Sequence, residues 1–212
     1  MLSVQNVVCG YGRLQVLHGL SIEVAEGAVG LFGPNGAGKT TLVNAILGIN
    51  PVRSGTITFL DSEIQNRPTH DIVRSGIALV PQERELFPGM TVYENLQVAA
   101  EQIPHAKASL EDSLEEVFGL FPILKERMRR LAGTLSGGQQ RMLAVGRALT
   151  ARPRLLVLDE PSLGLQPSIV HELFSILNEM KQRVTVLVTE QNVRESLRIV
   201  DRGYVIENGR IV

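Results

Sequence analysis

The chain has no tryptophan, and its aromatic content is only 4%. Aliphatic side chains must therefore fill the interior, and a hydrophobic fraction of 44% over 212 residues is enough for one domain-sized core. The single cysteine, Cys9, excludes an internal disulfide and a cysteine-built zinc site. The histidines His18, His70, His105 and His171 are scattered without ligand spacing, so none is expected to bind metal. A net charge of −1 gives no electrostatic footprint for nucleic acid or an anionic membrane surface. No apolar run approaches the roughly 20 residues that span a bilayer. The opening Met1-Leu2-Ser3-Val4-Gln5-Asn6 lacks a basic region followed by an apolar stretch. The chain therefore reads as soluble and intracellular, with any membrane association supplied by a partner.

Short apolar runs alternate with helical stretches, which predicts an α/β fold with a largely parallel sheet and crossover helices. Residues 20–24 alternate with period two and read as a half-buried antiparallel strand. Residues 28–32, 55–59 and 77–80 read as further strands, and 39–47 as a helix stopped by Gly48. From about 83 to 152 strand signals fade, and helices are expected over 91–100, 110–120 and 137–151. This stretch reads as a helical lobe inserted between two sheet strands. The sheet resumes at 155–158. A helix over 167–181, a strand over 184–188, a helix over 193–200 and a last strand over 204–207 complete the pattern.

Three segments carry chemistry. Gly33-Pro34-Asn35-Gly36-Ala37-Gly38-Lys39-Thr40 fits the phosphate-loop pattern G-x-x-x-x-G-K-[ST], between a strand and a helix as the motif requires. Its glycines let the backbone turn tightly and aim N–H groups at phosphate oxygens. The start of the following helix, through Thr41, adds its positive end. Lys39 is expected on the β- and γ-phosphates of ATP, and the Thr40 hydroxyl on Mg²⁺. Asp159-Glu160 follows an all-apolar strand, at the end where open α/β sheets bind ligands. Asp159 is expected to hold Mg²⁺, and Glu160 to polarise the attacking water as general base. Leu135-Ser136-Gly137-Gly138-Gln139 opens a helix with Ser136 as N-cap, and its paired glycines admit close approach by another molecule.

The order and spacing of these motifs resemble those of ATP-binding cassette (ABC) ATPases along essentially the whole chain. The resemblance implies a single nucleotide-binding domain over 1–212. It would comprise a P-loop core with a mixed sheet at about 1–82 and 153–212, a helical subdomain at about 83–152, and an N-terminal antiparallel β subdomain. It implies that two such domains pair head to tail, so that Ser136, Gly137, Gly138 and Gln139 of one close over the γ-phosphate held by the other. On the same resemblance Tyr11 stacks on adenine, although an aromatic after a strand also serves for packing. Gln82, in Val80-Pro81-Gln82, senses Mg²⁺ and the γ-phosphate.

Two positions depart from the common pattern. Gln166 stands where the loop after Glu160 usually ends in an aspartate. Gln191, in Thr189-Glu190-Gln191-Asn192, stands where the family places a switch histidine. A glutamine can hydrogen-bond the γ-phosphate but cannot carry a proton, so slower hydrolysis is expected at this site. Pro161-Ser162-Leu163-Gly164-Leu165, Glu190-Gln191-Asn192 and Asp201-Arg202-Gly203-Tyr204-Val205 together resemble the second ATPase subunit of importers for branched-chain amino acids, with urea and short-amide importers as the alternative. Such importers pair two ATPases, as a heterodimer here or a homodimer in isolation. The pair sits beneath two membrane permeases on the cytoplasmic face of the inner membrane, and an extracytoplasmic binding protein delivers substrate. Relatives continue through further helices beyond Val212.

Residues 84–87, just after Gln82, read either as a permease-facing surface or as local core packing. Chromosome-type ABC ATPases insert long coiled coils between phosphate loop and signature, and the stretch from Lys39 to Ser136 has no heptads. Translation-factor types carry two cassettes, whereas one phosphate loop is present here. A weakly hydrolysing regulatory subunit is the remaining alternative, raised by Gln191.

Overall fold

The computed structural model describes every residue except Arg84 and Gln102. In chain order the elements are β1 (Leu2–Tyr11), β2 (Leu14–Val24), β3 (Ala28–Phe32), α1 (Lys39–Ile46), β4 (Val52–Phe59), β5 (Ser62–Glu63), α2 (Thr69–Arg74) and β6 (Ile77–Val80). Helices α3 (Val92–Glu101), α4 (Pro104–Ala108), α5 (Leu110–Leu120), α6 (Pro122–Glu126) and α7 (Gly137–Thr150) follow without an intervening strand. The chain then returns to β7 (Leu155–Asp159), α8 (Pro167–Met180), β8 (Thr185–Glu190), α9 (Val193–Ser196), β9 (Arg202–Glu207) and β10 (Arg210–Ile211).

The strands form two sheets. One is antiparallel, in the order β2-β1-β4-β5, and the other runs β10-β9-β3-β8-β7-β6. In the second, β3, β6, β7, β8 and β9 are parallel and β10 returns antiparallel to β9, so the sheet is mixed. Both faces of the parallel sheet are covered. Leu155 and Val157 of β7 join α1 and the antiparallel sheet in one core. Leu156 and Leu158 join α5, α7 and α8 in the other. This partition is why β3, β7 and β8 read as unbroken apolar runs: period two sends successive side chains into different cores, and neither face meets water.

Among the local features that differ from the sequence expectation, four stand out. The strand over 20–24 begins at Leu14, and its partner β1 shows no strand periodicity in the sequence. In β1 the buried residues Leu2 and Val4 fall out of phase with Val7 and Cys9. The phase slips at Asn6, whose φ is 48°, where the register with β2 shifts. A bulge thus erases the alternation that marks a strand. Regular helix after Gln191 ends at Ser196 rather than at residue 200. Arg198 N and Ile199 N donate to carbonyls only three residues back, so the chain continues in tighter turns. The strand over 204–207 is not the last: Asn208 and Gly209, both at positive φ, turn the chain into β10. An Asn-Gly pair between extended segments is the signal for such a hairpin.

Candidate active site

Strand register lines up the chemistry. Val80 of β6 pairs with Leu158 of β7, Asp159 with Thr189 of β8, and Glu190 with Phe32 of β3. Gln82, Asp159-Glu160, Gln191 and the phosphate loop therefore leave the sheet at one edge, the carboxyl ends of four neighbouring parallel strands. That edge is where an open α/β sheet binds ligands.

The phosphate loop is shaped by what its glycines avoid. A Cβ on Gly33 would lie 2.3 Å from the Ile206 carbonyl oxygen of β9, which is backbone and cannot move aside. Gly38, with φ of 113°, caps α1 in a left-handed conformation that only glycine adopts without strain. Gly36, Ala37 and the start of α1 follow from this turn, which Ala37 N closes on the Pro34 carbonyl at 3.2 Å. Pro34, Asn35 and Thr40 are exposed, whereas Lys39 is only 3% exposed. The Lys39 ammonium donates to the carbonyls of Gly33 at 2.7 Å and Pro34 at 3.1 Å, and pairs with Glu160 Oε1 at 2.9 Å. Thr41 is buried and donates from Oγ1 to the Tyr11 hydroxyl at 3.4 Å, which ties Tyr11, half exposed at the end of β1, to the first turn of α1.

The end of β8 holds the end of β7. Thr189 Oγ1 donates to Asp159 Oδ1 at 2.5 Å, and Glu160 N donates to the Thr189 carbonyl at 3.1 Å. Glu160 takes a φ of 45°, a left-handed conformation costing a non-glycine residue about 1–3 kcal/mol. Gln191 is exposed and lines, with Glu160, Ser162 and Leu163, a cleft of about 430 Å³. Gln166 precedes Pro167 at the start of α8 and makes no side-chain cap.

Ser136 begins α7 in a capping box. Gln139 N donates to Ser136 Oγ at 3.4 Å, and Ser136 N to Gln139 Oε1 at 3.1 Å. Gly137 and Gly138 form the first turn. Among the described residues no hydrogen bond or ion pair joins these four to the phosphate loop, Asp159 or Glu160. The structure thus brings Tyr11, the loop and the two carboxylates together and leaves the Ser136–Gln139 turn on a separate element.

Three residues to which the sequence reading assigns no role hold this arrangement. Thr189 and Glu190 end an apolar strand with a polar pair, just as Asp159 and Glu160 end β7, and that parallel was the available signal. Arg141 lies in a helix buried almost all round, 2% exposed itself, beside Met142, Leu143 and Ala144. Its Nη1 donates to the Pro81 carbonyl at 2.8 Å and Nη2 to the Gln82 carbonyl at 2.6 Å. Arg141 therefore pins the Gln82 turn to the second turn of the helix that Ser136 caps. Replacing it with methionine keeps the bulk and strips both donors. The Arg141→Met chain is expected to lose about 2–3 kcal/mol of stability, read as a lower urea midpoint at unchanged slope. An unchanged midpoint would mean that water replaces the guanidinium at no cost.

The chain matches the family described as ABC transporter over residues 17–163. It is 45% identical to the high-affinity branched-chain amino acid transport ATP-binding protein BraG of Pseudomonas aeruginosa, over 100% of this chain and 91% of that one. It is 35% identical to a probable branched-chain amino acid transport ATP-binding protein, LivF, of Archaeoglobus fulgidus (100% and 90%). The lipopolysaccharide export ATP-binding protein LptB of Escherichia coli is 36% identical (100% and 88%). In three dimensions the chain superposes on the ADP conformation of a crystallised ATP-binding cassette of an ABC transporter with a TM-score of 0.86 at 32% identity, covering 100% of this chain and 89% of that one. Similarity running the length of the chain, in sequence and in shape, makes it a member of the ABC transporter family, among the subunits that hydrolyse ATP.

Proposed function

We propose that this chain powers uptake of branched-chain amino acids as one of two ATPases closed by MgATP beneath a pair of permeases. The observation that carries the ATP site is the meeting of Lys39, Asp159 and Glu160 at one sheet edge. The substrate class rests on the likeness to BraG and LivF, and the export ATPase LptB is a weaker match than BraG in identity.

The phosphates of ATP lie against the N–H groups of residues 36–41, with Lys39 on the β- and γ-phosphates and Tyr11 against adenine. Mg²⁺ fits the oxygen donors on offer: the Thr40 hydroxyl, the Gln82 amide and the buried Asp159 carboxylate, whose Oδ1 takes a hydrogen bond from Thr189. An ion held by these three residues would supply charge neutralisation to the bound phosphates. Glu160 accepts a proton from the attacking water as its oxygen bonds the γ-phosphorus and ADP departs. Gln191 hydrogen-bonds the γ-phosphate without accepting a proton. The Ser136–Gln139 turn stands apart because it serves the phosphate held by the second subunit. Closure, in which the helices of residues 83–152 move as a unit, draws on the tighter binding of ATP to the closed pair.

Among the described residues no helix is long and apolar enough to cross a membrane. We place the chain on the cytoplasmic face, held by its permeases. The two alternatives for residues 84–87 divide: Leu86 packs against the core, Phe87 is 46% exposed, and Arg84 lies outside the described residues. Phe87, Met90, Tyr93 and Leu131 are exposed apolar residues on neighbouring segments, tied by backbone bonds from Met90 N to the Phe87 carbonyl and from Ala132 N to the Met90 carbonyl. These residues face the permeases. Purification of the chain from its native membranes in mild detergent is expected to bring down a second ATPase and two membrane proteins. Recovery with soluble partners only would overturn the transporter assignment.

A further inference from the structure

Glu190 has no part in the scheme above, yet it is the most enclosed carboxylate near the site. It is 2% exposed. Its Oε1 accepts a hydrogen bond from Ser162 N at 2.9 Å, and its backbone carbonyl accepts one from Gly33 N at 3.2 Å. One residue at the end of β8 therefore joins the first glycine of the phosphate loop to the turn that follows Glu160. That turn is otherwise held by its own short bonds, Leu163 N to the Glu160 carbonyl and Leu165 N to the Ser162 carbonyl, both 3.2 Å. Leu163 at its crest is 49% exposed. Glu160 is already in a left-handed conformation, so its carboxylate points correctly only while the residues on both sides are fixed. Thr189 fixes the near side through Glu160 N, and Glu190 fixes the far side through Ser162 N.

Enclosure also has an electrostatic sign. Burial pushes the Glu190 carboxyl above its usual range, the hydrogen bonds from Ser162 act against that, and the nearby Glu160 carboxylate adds to it. An acid kept here against that tendency is kept for its contact, since an apolar side chain would fill the space more cheaply.

We propose that Glu190 is a positioning residue for hydrolysis: by anchoring Ser162 it holds the Glu160–Gln166 turn in the geometry that turnover needs, without contributing to ATP binding. This deepens the assignment of Glu160 as general base and rests on it. The two contacts of Glu190 can be separated experimentally, because the bond from Gly33 is made to the backbone and survives any side-chain change. In steady-state ATP hydrolysis, Glu190→Leu is expected to lower kcat by roughly 10–100-fold, the scale for a misplaced catalytic group, with KM for ATP within about twofold. Glu190→Gln, which keeps an acceptor oxygen at the same reach, should recover most of the loss. Hydrogen exchange at the Ser162 amide should quicken in Glu190→Leu and return toward the unmodified rate in Glu190→Gln.

An unchanged kcat in Glu190→Leu would overturn the proposal. So would a rise in KM that accounts for the whole effect, which would mark a purely structural role in the phosphate loop. Equal damage in Glu190→Gln would do so too, by showing that charge rather than the hydrogen bond matters. Should Glu190→Leu not fold, Glu190→Ser, polar but too short to reach Ser162, is measured in its place. Glu160→Gln run in parallel keeps the two assignments distinguishable. If it leaves turnover intact the general base lies elsewhere, while the Glu190 variants still report on the turn.

Discussion

Glu160→Gln is expected to lower ATP turnover by about 10²–10⁴-fold, the usual contribution of a positioned general base, while nucleotide binding survives. The substitution preserves shape and the backbone bonds to Thr189, so the loss is chemical rather than architectural. It also releases Lys39, whose ammonium is shared between Glu160 and two loop carbonyls. Incoming phosphates compete with Glu160 for that cation, and glutamine is the weaker competitor. MgATP should consequently bind the variant at least as tightly as the unmodified chain and hold two copies together for longer. Phosphate release and MgATP-dependent self-association by size exclusion are the measurements. A rate within a few fold of the unmodified chain would remove Glu160 from the mechanism and revive a regulatory role for this subunit.

Lys39→Met should show a second large effect, and in two quantities at once. Losing a charge-assisted contact to the phosphates weakens ATP binding by roughly 10–150-fold, corresponding to about 1.5–3 kcal/mol. The same change leaves Glu160 enclosed opposite an apolar side chain. The pair is buried, with the two side chains 3% and 7% exposed. Removing one member of a buried pair costs about 3–5 kcal/mol because the remaining charge is uncompensated. The Lys39→Met, Glu160→Gln double variant should regain most of that stability, since neither member is then charged, yet it should not regain ATP binding. Thermal unfolding of the four chains of this cycle, with titration of a fluorescent ATP analogue, separates the two effects. If the double variant is no more stable than Lys39→Met, the ion pair is not what holds the two side chains in place.

The parts of the site visible in the sequence are those whose chemistry is local. The phosphate loop, the apolar strand ending in Asp159-Glu160 and the Ser136 cap each place residues of the proposed site within a few positions, so spacing alone reports their local geometry. The helix over Leu110–Leu120 and the Ser136-capped start of α7 at Gly137 are likewise legible from local sequence. What stayed hidden is long-range or out of phase. Strand β1 was masked by the bulge at Asn6, which sets its two buried halves on different phases. Arg141 looks like a surface residue in the sequence, and only the approach of Pro81 and Gln82 gives its guanidinium a buried partner. Glu190 was noticed as the neighbour of Gln191, but its bond to Ser162 joins strands β7 and β8 at their ends and has no echo in either segment. Gln166 and Gln191, the two departures from the family pattern, were legible as identities. Their effect on rate depends on distances to a substrate, which spacing cannot supply.

The strand order has a consequence for how this protein comes off the ribosome. Strand β3 ends at Phe32, but its neighbours in the sheet are β8 and β9, which begin at Thr185 and Arg202. At 5–20 residues per second, a fully apolar strand waits on the order of 10 s for a partner on either side. Strands β6 and β7 can pair as soon as β7 is made, yet they too present an open edge until Thr185 emerges. During that interval the nascent chain carries unsatisfied parallel edges on both sides of β3 and on one side of β7, the kind of surface that pairs with other chains. Translation that stalls between β7 and β8 would thus release an aggregation-prone fragment, and this cassette should lean on ribosome-bound chaperones over that window more than a fold built from neighbouring hairpins.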